Sequence, residues 1–232
     1  MSGPPLTVGV VGAGRLGGAV LRACREAGVA VTLRATARGG WTVESVPDVL
    51  IDASAPAALP EVASFCVRHR VPLLECVSHP GGRAGLLRET AEVVPVVEAV
   101  NLSFGSYVQR LLTASVAGLA HPCAPDVDVL DRHPVRKAPR VSATAERLAR
   151  TWADAGGRPP ARLGLRRGGL EVSDHDITWV WNGGEALTIR HQVTSLAAAA
   201  AAAVGIARLL PGRPPGLLSV DDMFPALLRT TE

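Results

Sequence analysis

Leu6-Thr7-Val8-Gly9-Val10-Val11 runs directly into Gly12-Ala13-Gly14-Arg15-Leu16-Gly17-Gly18, and this junction decides the fold. The first run is apolar and β-branched, as a buried strand requires. From Ala19 to Ala27 the pattern is helical, and Gly28 closes it. Gly-x-Gly-x-x-Gly set between a strand and a helix has a mechanical reading. Gly12 permits the tight turn, Gly14 lets the backbone approach a pyrophosphate, and Gly17 allows close helix–strand packing. The helix start adds unpaired N–H groups and a positive dipole for phosphates. Gly12, Gly14, Arg15, Leu16 and Gly17 are therefore candidate cofactor contacts. The competing reading is a glycine-rich turn that binds nothing.

The same alternation continues outward. Residues 29–35, 48–53, 71–77 and 93–99 read as further strands, with helices over 56–70 and 85–92. Strand–helix alternation over the first hundred or so residues predicts a Rossmann-type parallel sheet. Then the pattern changes. A long helix is expected over 104–120 and a strand over 126–132. A helix follows over 142–155, with Ser142 as N-cap. Strands follow over 162–167, 171–181 and 186–193, the last two joined by the turn Asn182-Gly183-Gly184. Residues 195–210, with seven alanines from Ala197 to Ala203, read as a closely packed helix. The fold class is thus α/β: a parallel-sheet domain (1–102 with 194–232) and a smaller α+β domain (103–193) with a mostly antiparallel sheet.

Totals narrow the function. Of 232 residues 47% are hydrophobic, which supplies a core. Net charge is +3 with the basic residues scattered, and aromatics are 3%, so no basic stripe with stacking rings suggests nucleic acid. No apolar run reaches the ~18–20 residues of a membrane span. The start lacks the basic-then-apolar pattern of a signal peptide. Cys24, Cys66, Cys76 and Cys123 form no C-x-x-C pair and read as reduced thiols, so a cytoplasmic location is expected. No histidine or cysteine spacing resembles a zinc site, so no metal is expected.

Two further signals carry chemistry. After the second strand, Leu33-Arg34-Ala35-Thr36-Ala37-Arg38 has no carboxylate until Glu44. A carboxylate there would hold a ribose 2′-hydroxyl; a hydroxyl between two arginines suits a 2′-phosphate. Arg34, Thr36 and Arg38 therefore favour NADPH, with NADH as the alternative cofactor. Of 24 basic residues only Lys137 is a lysine. It stands four residues after His133, and a His–Lys pair of tunable pKa is common acid–base equipment. A solvated surface lysine is the bland alternative.

Taken together, these segments resemble the dihydrodipicolinate reductase family over nearly the whole chain. The glycine loop is similar to the family's Gly-x-x-Gly-Arg-Met-Gly with one residue fewer. Val49-Leu50-Ile51-Asp52-Ala53-Ser54-Ala55-Pro56 resembles its Val-Leu-Ile-Asp-Phe-Thr-x-Pro strand end, and Asn101-Leu102-Ser103-Phe104-Gly105 its hinge. Asp131-x-His133-x-x-x-Lys137 with Ser142-x-Thr144-Ala145 resembles Glu-x-His-His-x-x-Lys and Ser-Gly-Thr-Ala. Ser173-Asp174-His175 and Ile189-Arg190-His191 resemble two later histidine segments, and Pro215 to Met223 the C-terminal segment. The resemblance implies hydride transfer from NAD(P)H to an unsaturated cyclic imine bearing carboxylates, in a cleft between hinged domains of a homo-oligomer, tetramer or dimer. It makes His133 the proton donor and has Lys137 bind or polarise the substrate. Ser142, Ala143 and Thr144 become donors to a substrate carboxylate. Ala53, Ser54, Cys76, Val77, Ser78 and Asn101 join the cofactor contacts.

The departures bear on substrate. The family's second adjacent histidine is Pro134 here, its Gly-Thr-Thr-Gly loop is Cys76-Val77-Ser78-His79, and a contacting glycine is Ala143. Leu196 stands where an arginine is usual. The expectation is a reductase of a related cyclic imine, enamine or conjugated carboxylate in a specialised biosynthetic pathway. The lysine-pathway reductase and a non-redox dehydratase, cyclase or isomerase on the same scaffold are the alternatives. Cys76 and His79 read equally as replacements for lost functions or as loop filler.

Overall fold

In the computed structural model, residues 5–77, 83–99, 101–119, 124–135, 140–168 and 172–229 are described. They form two compact units, one of residues 1–103 with 196–232 and one of 104–195.

The first unit opens β1 (Thr7–Val11), α1 (Arg15–Glu26), β2 (Ala30–Thr36), β3 (Gly40–Val43) and β4 (Val49–Asp52). A 3-10 turn (Pro56–Ala58), α2 (Leu59–His69), β5 (Leu73–Glu75), α3 (Ala84–Ala91) and β6 (Pro95–Glu98) follow. The second unit comprises α4 (Phe104–Ala117), β7 (Asp126–His133), α5 (Ala143–Asp154), β8 (Arg162–Arg167), β9 (Ser173–Trp181) and β10 (Glu185–Val193). The chain then returns to the first unit with α6 (Ala197–Ala207), β11 (Gly216–Ser219) and α7 (Val220–Arg229).

The first sheet has the order β11-β6-β5-β4-β1-β2-β3. Every pairing is parallel except β2 with β3. The chain leaves β1 toward β2 on one side and returns to β4 on the other. The carboxyl ends of β1 and β4 are thus the switch point where open α/β sheets take ligands. Strands buried on both faces supply the core: Val8, Val10, Leu50, Ile51, Leu73, Leu74, Val96 and Val97 are each 0–1% exposed. Helix α1 ends as the sequence predicts. Gly28 is left-handed (φ 64), its N–H donates to the Arg25 carbonyl, and that of Val29 donates to Cys24. The alanines of α6 lie against α1, with Ala200, Ala203 and Ala207 fully buried.

Three elements depart from the sequence expectation. The segment after β2 is a hairpin into the edge strand β3, not open loop. The helix expected over 56–70 begins as a 3-10 turn. Residues 216–229, carried in the sequence only by resemblance, supply β11 and α7.

In the second unit the sheet order is β10-β9-β7-β8. β9 runs antiparallel to both neighbours, while β7 and β8 are parallel. Val127, Val129, Leu148, Trp152, Ile177 and Trp179 make its core under α5. The strand expected over 171–181 is observed from Ser173, residue 171 lying outside the described set. No helix among the described residues is long and apolar enough to cross a membrane.

The three fingerprint glycines are under different constraints. Gly12 has φ 102, and a Cβ there would stand 2.5 Å from the Ala53 carbonyl oxygen. A Cβ on Gly17 would stand 2.0 Å from the Gly12 oxygen. At Gly14 a Cβ would meet nothing within 4 Å. Gly17→Ala is therefore expected to lower unfolding free energy by about 2–3 kcal/mol, the scale of overpacking against backbone. Gly14→Ser, which keeps a good N-cap residue, should stay within about 0.5 kcal/mol of the parent in urea titrations.

Candidate functional site

The loops that follow β1, β2, β4, β5 and β6 all lie at the carboxyl edge of the first sheet, and they carry the expected cofactor residues. Gly14 is the N-cap of α1, with Arg15 exposed at its first position, Leu16 half-buried and Gly17 buried. Arg34 and Arg38 are exposed, and the Thr36 hydroxyl accepts the Gly39 N–H at 2.9 Å across the β2–β3 hairpin. Backbone bonds tie the loops together: Gly12 N–H to the Ala35 oxygen, Ala53 N–H to Val11, and Cys76 N–H to Asp52. Asn101 Oδ1 accepts the Ser103 N–H at 2.9 Å. Ser54 donates to Asp52 Oδ1 through both N–H (2.9 Å) and hydroxyl (2.5 Å). The Val77 carbonyl accepts from Arg83 at 2.5 Å. Ser78 and His79 lie outside the described residues.

Sequence reading missed a feature here. Asp52 and Glu75 end adjacent parallel strands opposite each other, and Glu98 stands opposite Glu75 on the next. Asp52 is 0% exposed and Glu75 1%. Glu75 Oε1 takes an ion pair from Arg83. The other oxygens, Asp52 Oδ2 and Glu75 Oε2, are buried without a donor. Burial, then the Asp52 charge and a hydrogen bond to it, raise the Glu75 pKa to about 8 despite Arg83. Two carboxylates this close cannot both ionise at low cost, so Glu75 holds its proton to higher pH. A lone acid in the apolar strand run 71–77 was the available signal. Cys76 lies beside them, 5% exposed, and burial followed by Glu75 and Asp52 pushes its thiol well up. It is an inert packed thiol rather than a nucleophile.

The second unit gathers the other chemistry. Along β7, Val127, Val129, Asp131 and His133 point inward by strand alternation. Asp131 stands opposite His175 on β9, and His175 opposite His191 on β10, so an acid and two histidines form a cross-strand row. Asp131 is 0% exposed. It accepts the Ser142 N–H at 3.0 Å and the Ser142 hydroxyl at 2.9 Å. His133 Nε2 lies 2.9 Å from its Oδ1, His175 Nε2 3.2 Å from the same oxygen, and Arg167 3.6 Å from Oδ2. Burial opposes the Asp131 charge, but the close His133 and His175 rings and the Ser142 hydrogen bonds outweigh it and hold the carboxyl far below its ordinary range.

Ser142 also caps α5: its Oγ accepts the Ala145 N–H at 3.2 Å. With its proton given to Asp131, Oγ can only accept from His175 Nε2, 3.2 Å away. That places a hydrogen on Nε2 of His175. Gln109 of α4 steadies the same strands by donating to the carbonyls of His175 (2.8 Å) and Ile189 (2.9 Å). Gly105 opens α4 against His191, where a Cβ would stand 2.7 Å from the ring. Burial and the neighbouring His175 lower the His191 pKa.

The structure thus brings His133, Ser142, Ala143 and Thr144 to one place and adds Asp131 and His175. Lys137 lies outside the described residues. Asp131, His133 and His175 also have the composition of a metal centre, with ligand atoms within 4.8 Å of one another. Ser142 already supplies Asp131 with two donors, however, and Nδ1 of His175 is buried without a partner. A metal-bound imidazole normally donates from its second nitrogen. The cluster fits a hydrogen-bonded acid–base centre better.

Fold and site define a two-unit protein of the nicotinamide-dinucleotide dehydrogenase type: a doubly wound sheet with a glycine loop, and an α+β unit with a buried Asp–His–His centre. No family model matches the chain. It is 34% identical over 196 residues to 4-hydroxy-tetrahydrodipicolinate reductase of Thermomicrobium roseum, covering 76% of this chain and 74% of the relative. It is 31% identical over 178 residues to the protein of that name from Xanthomonas campestris pv. campestris, covering 76% and 72%. Among solved structures it resembles dipicolinate-bound dihydrodipicolinate reductase from Paenisporosarcina sp. TG-14, with TM-score 0.72, 16% identity, and coverage of 95% and 100%. The chain belongs to the 4-hydroxy-tetrahydrodipicolinate reductase family.

The Glu75 shift has a stability consequence. A raised folded pKa gives stability that is full below the unfolded value of 4.5 and lost as pH rises through about 8. Gln is the neutral mimic of protonated Glu75, able to donate to Asp52 and accept from Arg83. Glu75→Gln should match the parent at pH near 4 and exceed it by on the order of 1–3 kcal/mol at pH near 9, read from urea unfolding at both pH values.

Proposed function

We propose that the chain is an NADPH-dependent reductase of a cyclic imine, enamine or conjugated carbon–nitrogen substrate bearing a carboxylate. The observation that carries this is Gly14. It has no steric or φ constraint from the chain, and a glycine there leaves the backbone open to the approach of a ligand. The pyrophosphate lies at the α1 start, where Arg15 and Leu16 present N–H groups, and the 2′-phosphate takes Arg34, Thr36 and Arg38. Ala53, Ser54, Cys76, Val77 and Asn101 line the path toward the nicotinamide, with Ser78 as a further expected contact. The bound cofactor supplies the hydride.

His133 gives the proton and Lys137 polarises the substrate. Ser142 has both donors on Asp131, which leaves the carboxylate to the first turn of α5 at Ala143 and Thr144. The names of the relatives support 4-hydroxy-tetrahydrodipicolinate as a substrate to be tried first. Pro134, Ala143 and Leu196 favour a related imine over it. Exposed Leu163, Leu165 and Val180 on the second sheet suit a homo-oligomer, which light scattering would reveal as a mass above 24.1 kDa.

Fluorescence titration should give tighter binding for NADPH than for NADH by about tenfold or more, and Gly14→Ser should weaken NADPH at unchanged stability. Equal or absent binding of the two cofactors removes the cofactor assignment. With a competent imine, Lys137→Arg should lose on the order of 10²-fold in kcat/KM, nearly as much as Lys137→Ala, because ammonium geometry rather than charge is required. Near-normal turnover by Lys137→Arg would make the lone lysine an accident of composition.

A further inference from the structure

We infer that Asp131 is the positioning residue of the acid centre, a fixed anion that orients His133 and ties it, through Ser142 and His175, to the start of α5. The inference rests on the reading of His133 as proton donor. Three observations carry it. Asp131 is sealed from water, so its charge is answered only by protein groups. His133 and Asp131 are two apart on β7 and so share its inward face, with Nε2 2.9 Å from Oδ1, at ion-pair distance but off the line of a hydrogen bond. That contact turns Nε2 inward and leaves Nδ1 as the nitrogen that can serve a substrate. Finally, the same Oδ1 receives the Ser142 hydroxyl and faces His175 Nε2 at 3.2 Å, so the ring of His133 is referenced to β9 and α5 together.

His175 is a second positioning residue. Its Nε2 hydrogen is shared between Asp131 and Ser142, and its Nδ1 has no partner, so it fixes the carboxylate without offering a path to solvent. Among the described residues, the charged and titratable groups around His133 are Asp131 on its own strand, His175 on β9, His191 stacked 6.4 Å beyond it on β10, and Arg167 on β8. Asp131 is the anion among them that contacts His133. Removing its charge while keeping its shape should change which ring nitrogen of His133 carries the hydrogen, which a merely structural role would not do.

The test is Asp131→Asn beside Asp131→Glu and His133→Ala. With ¹⁵N-histidine-labelled protein, His133 is assigned by its loss in His133→Ala, and its tautomer is read by NMR without any substrate. The Asn variant should lower the share of rings carrying hydrogen on Nε2, the nitrogen facing Oδ1, and Glu should restore most of it. With NADPH and 4-hydroxy-tetrahydrodipicolinate as the probe substrate, Asp131→Asn should lose about 10²-fold in kcat with KM within about threefold, and add little when combined with His133→Ala. An unchanged tautomer, or an inactive His133→Ala beside a fully active Asp131→Asn, overturns the positioning role and leaves His133 as acid. Full activity in both single variants overturns the acid reading itself. One equivalent of zinc or iron in the purified protein, lost in Asp131→Asn, would replace positioning by metal ligation. If Asp131→Asn does not fold, Ser142→Ala removes the tie to α5 instead; an unchanged His133 tautomer and kcat in that variant would equally overturn the proposal.

Discussion

A charge without water must be answered by nearby donors, and Asp131 is where this constraint shapes the second unit. Its carboxylate is fully buried. An unpaired buried charge costs several kcal/mol or more. The chain meets that demand from four directions: Ser142 at the start of α5, His133 on the same strand, His175 on β9 and Arg167 on β8. Each donor sits on a different element or on an alternate position of one. The register of β7 with β9, the start of α5 and the placing of β8 are thereby linked to a single group. A one-residue slip of β9 would turn His175 to the opposite face and leave the carboxylate short of a partner.

The first unit solves the opposite problem. At the ends of β4 and β5 the buried neighbours are acids rather than donors. Ser54 answers one oxygen of Asp52 and Arg83 one oxygen of Glu75, and the remaining two are left without a donor. The same side-chain chemistry thus gives a firmly ionised carboxylate in one place and a protonated one in another. At Glu75 burial and the neighbouring negative charge outweigh Arg83, whereas at Asp131 the donors outweigh burial.

What the sequence revealed follows from how local each signal is. The glycine loop, the Gly28 stop and the Ser142 cap depend on contacts within a few residues, and each is written in consecutive letters. The parallel strands were legible because burial on both faces forces apolar runs. Edge strand β3 was not, because Gly39-Gly40 reads as loop and its exposed residues carry no alternation. The 3-10 start of α2 falls within the ordinary error of helix ends. The row Asp131–His175–His191 was hidden for a deeper reason. Its members are far apart in sequence, and only the pairing register, which no single segment encodes, sets them side by side. His133 was found through its spacing to Lys137. Asp131, two residues away, was quoted only as part of a pattern, although an acid at an inward position after Val127 and Val129 was itself a sign of a buried partner.

The three glycines separate what a fold requires from what a function requires. Gly12 and Gly17 are forced by the chain, since a side chain at either would strike backbone already in place. Any protein that folds this way needs them, whether or not it binds a nucleotide. Gly14 is different: its φ of −71 suits every residue, and the space where its side chain would point is open. Helix capping alone would favour Ser, Asp or Asn there, each of which can bond to an α1 N–H that Gly14 leaves uncapped. A position where the fold permits better residues and the chain nevertheless carries the smallest fits the proposed reading, in which a ligand sets the limit. By the same reasoning the acids at the ends of β4 and β5 stand out, because the sheet alone would be more stable with apolar residues in their place.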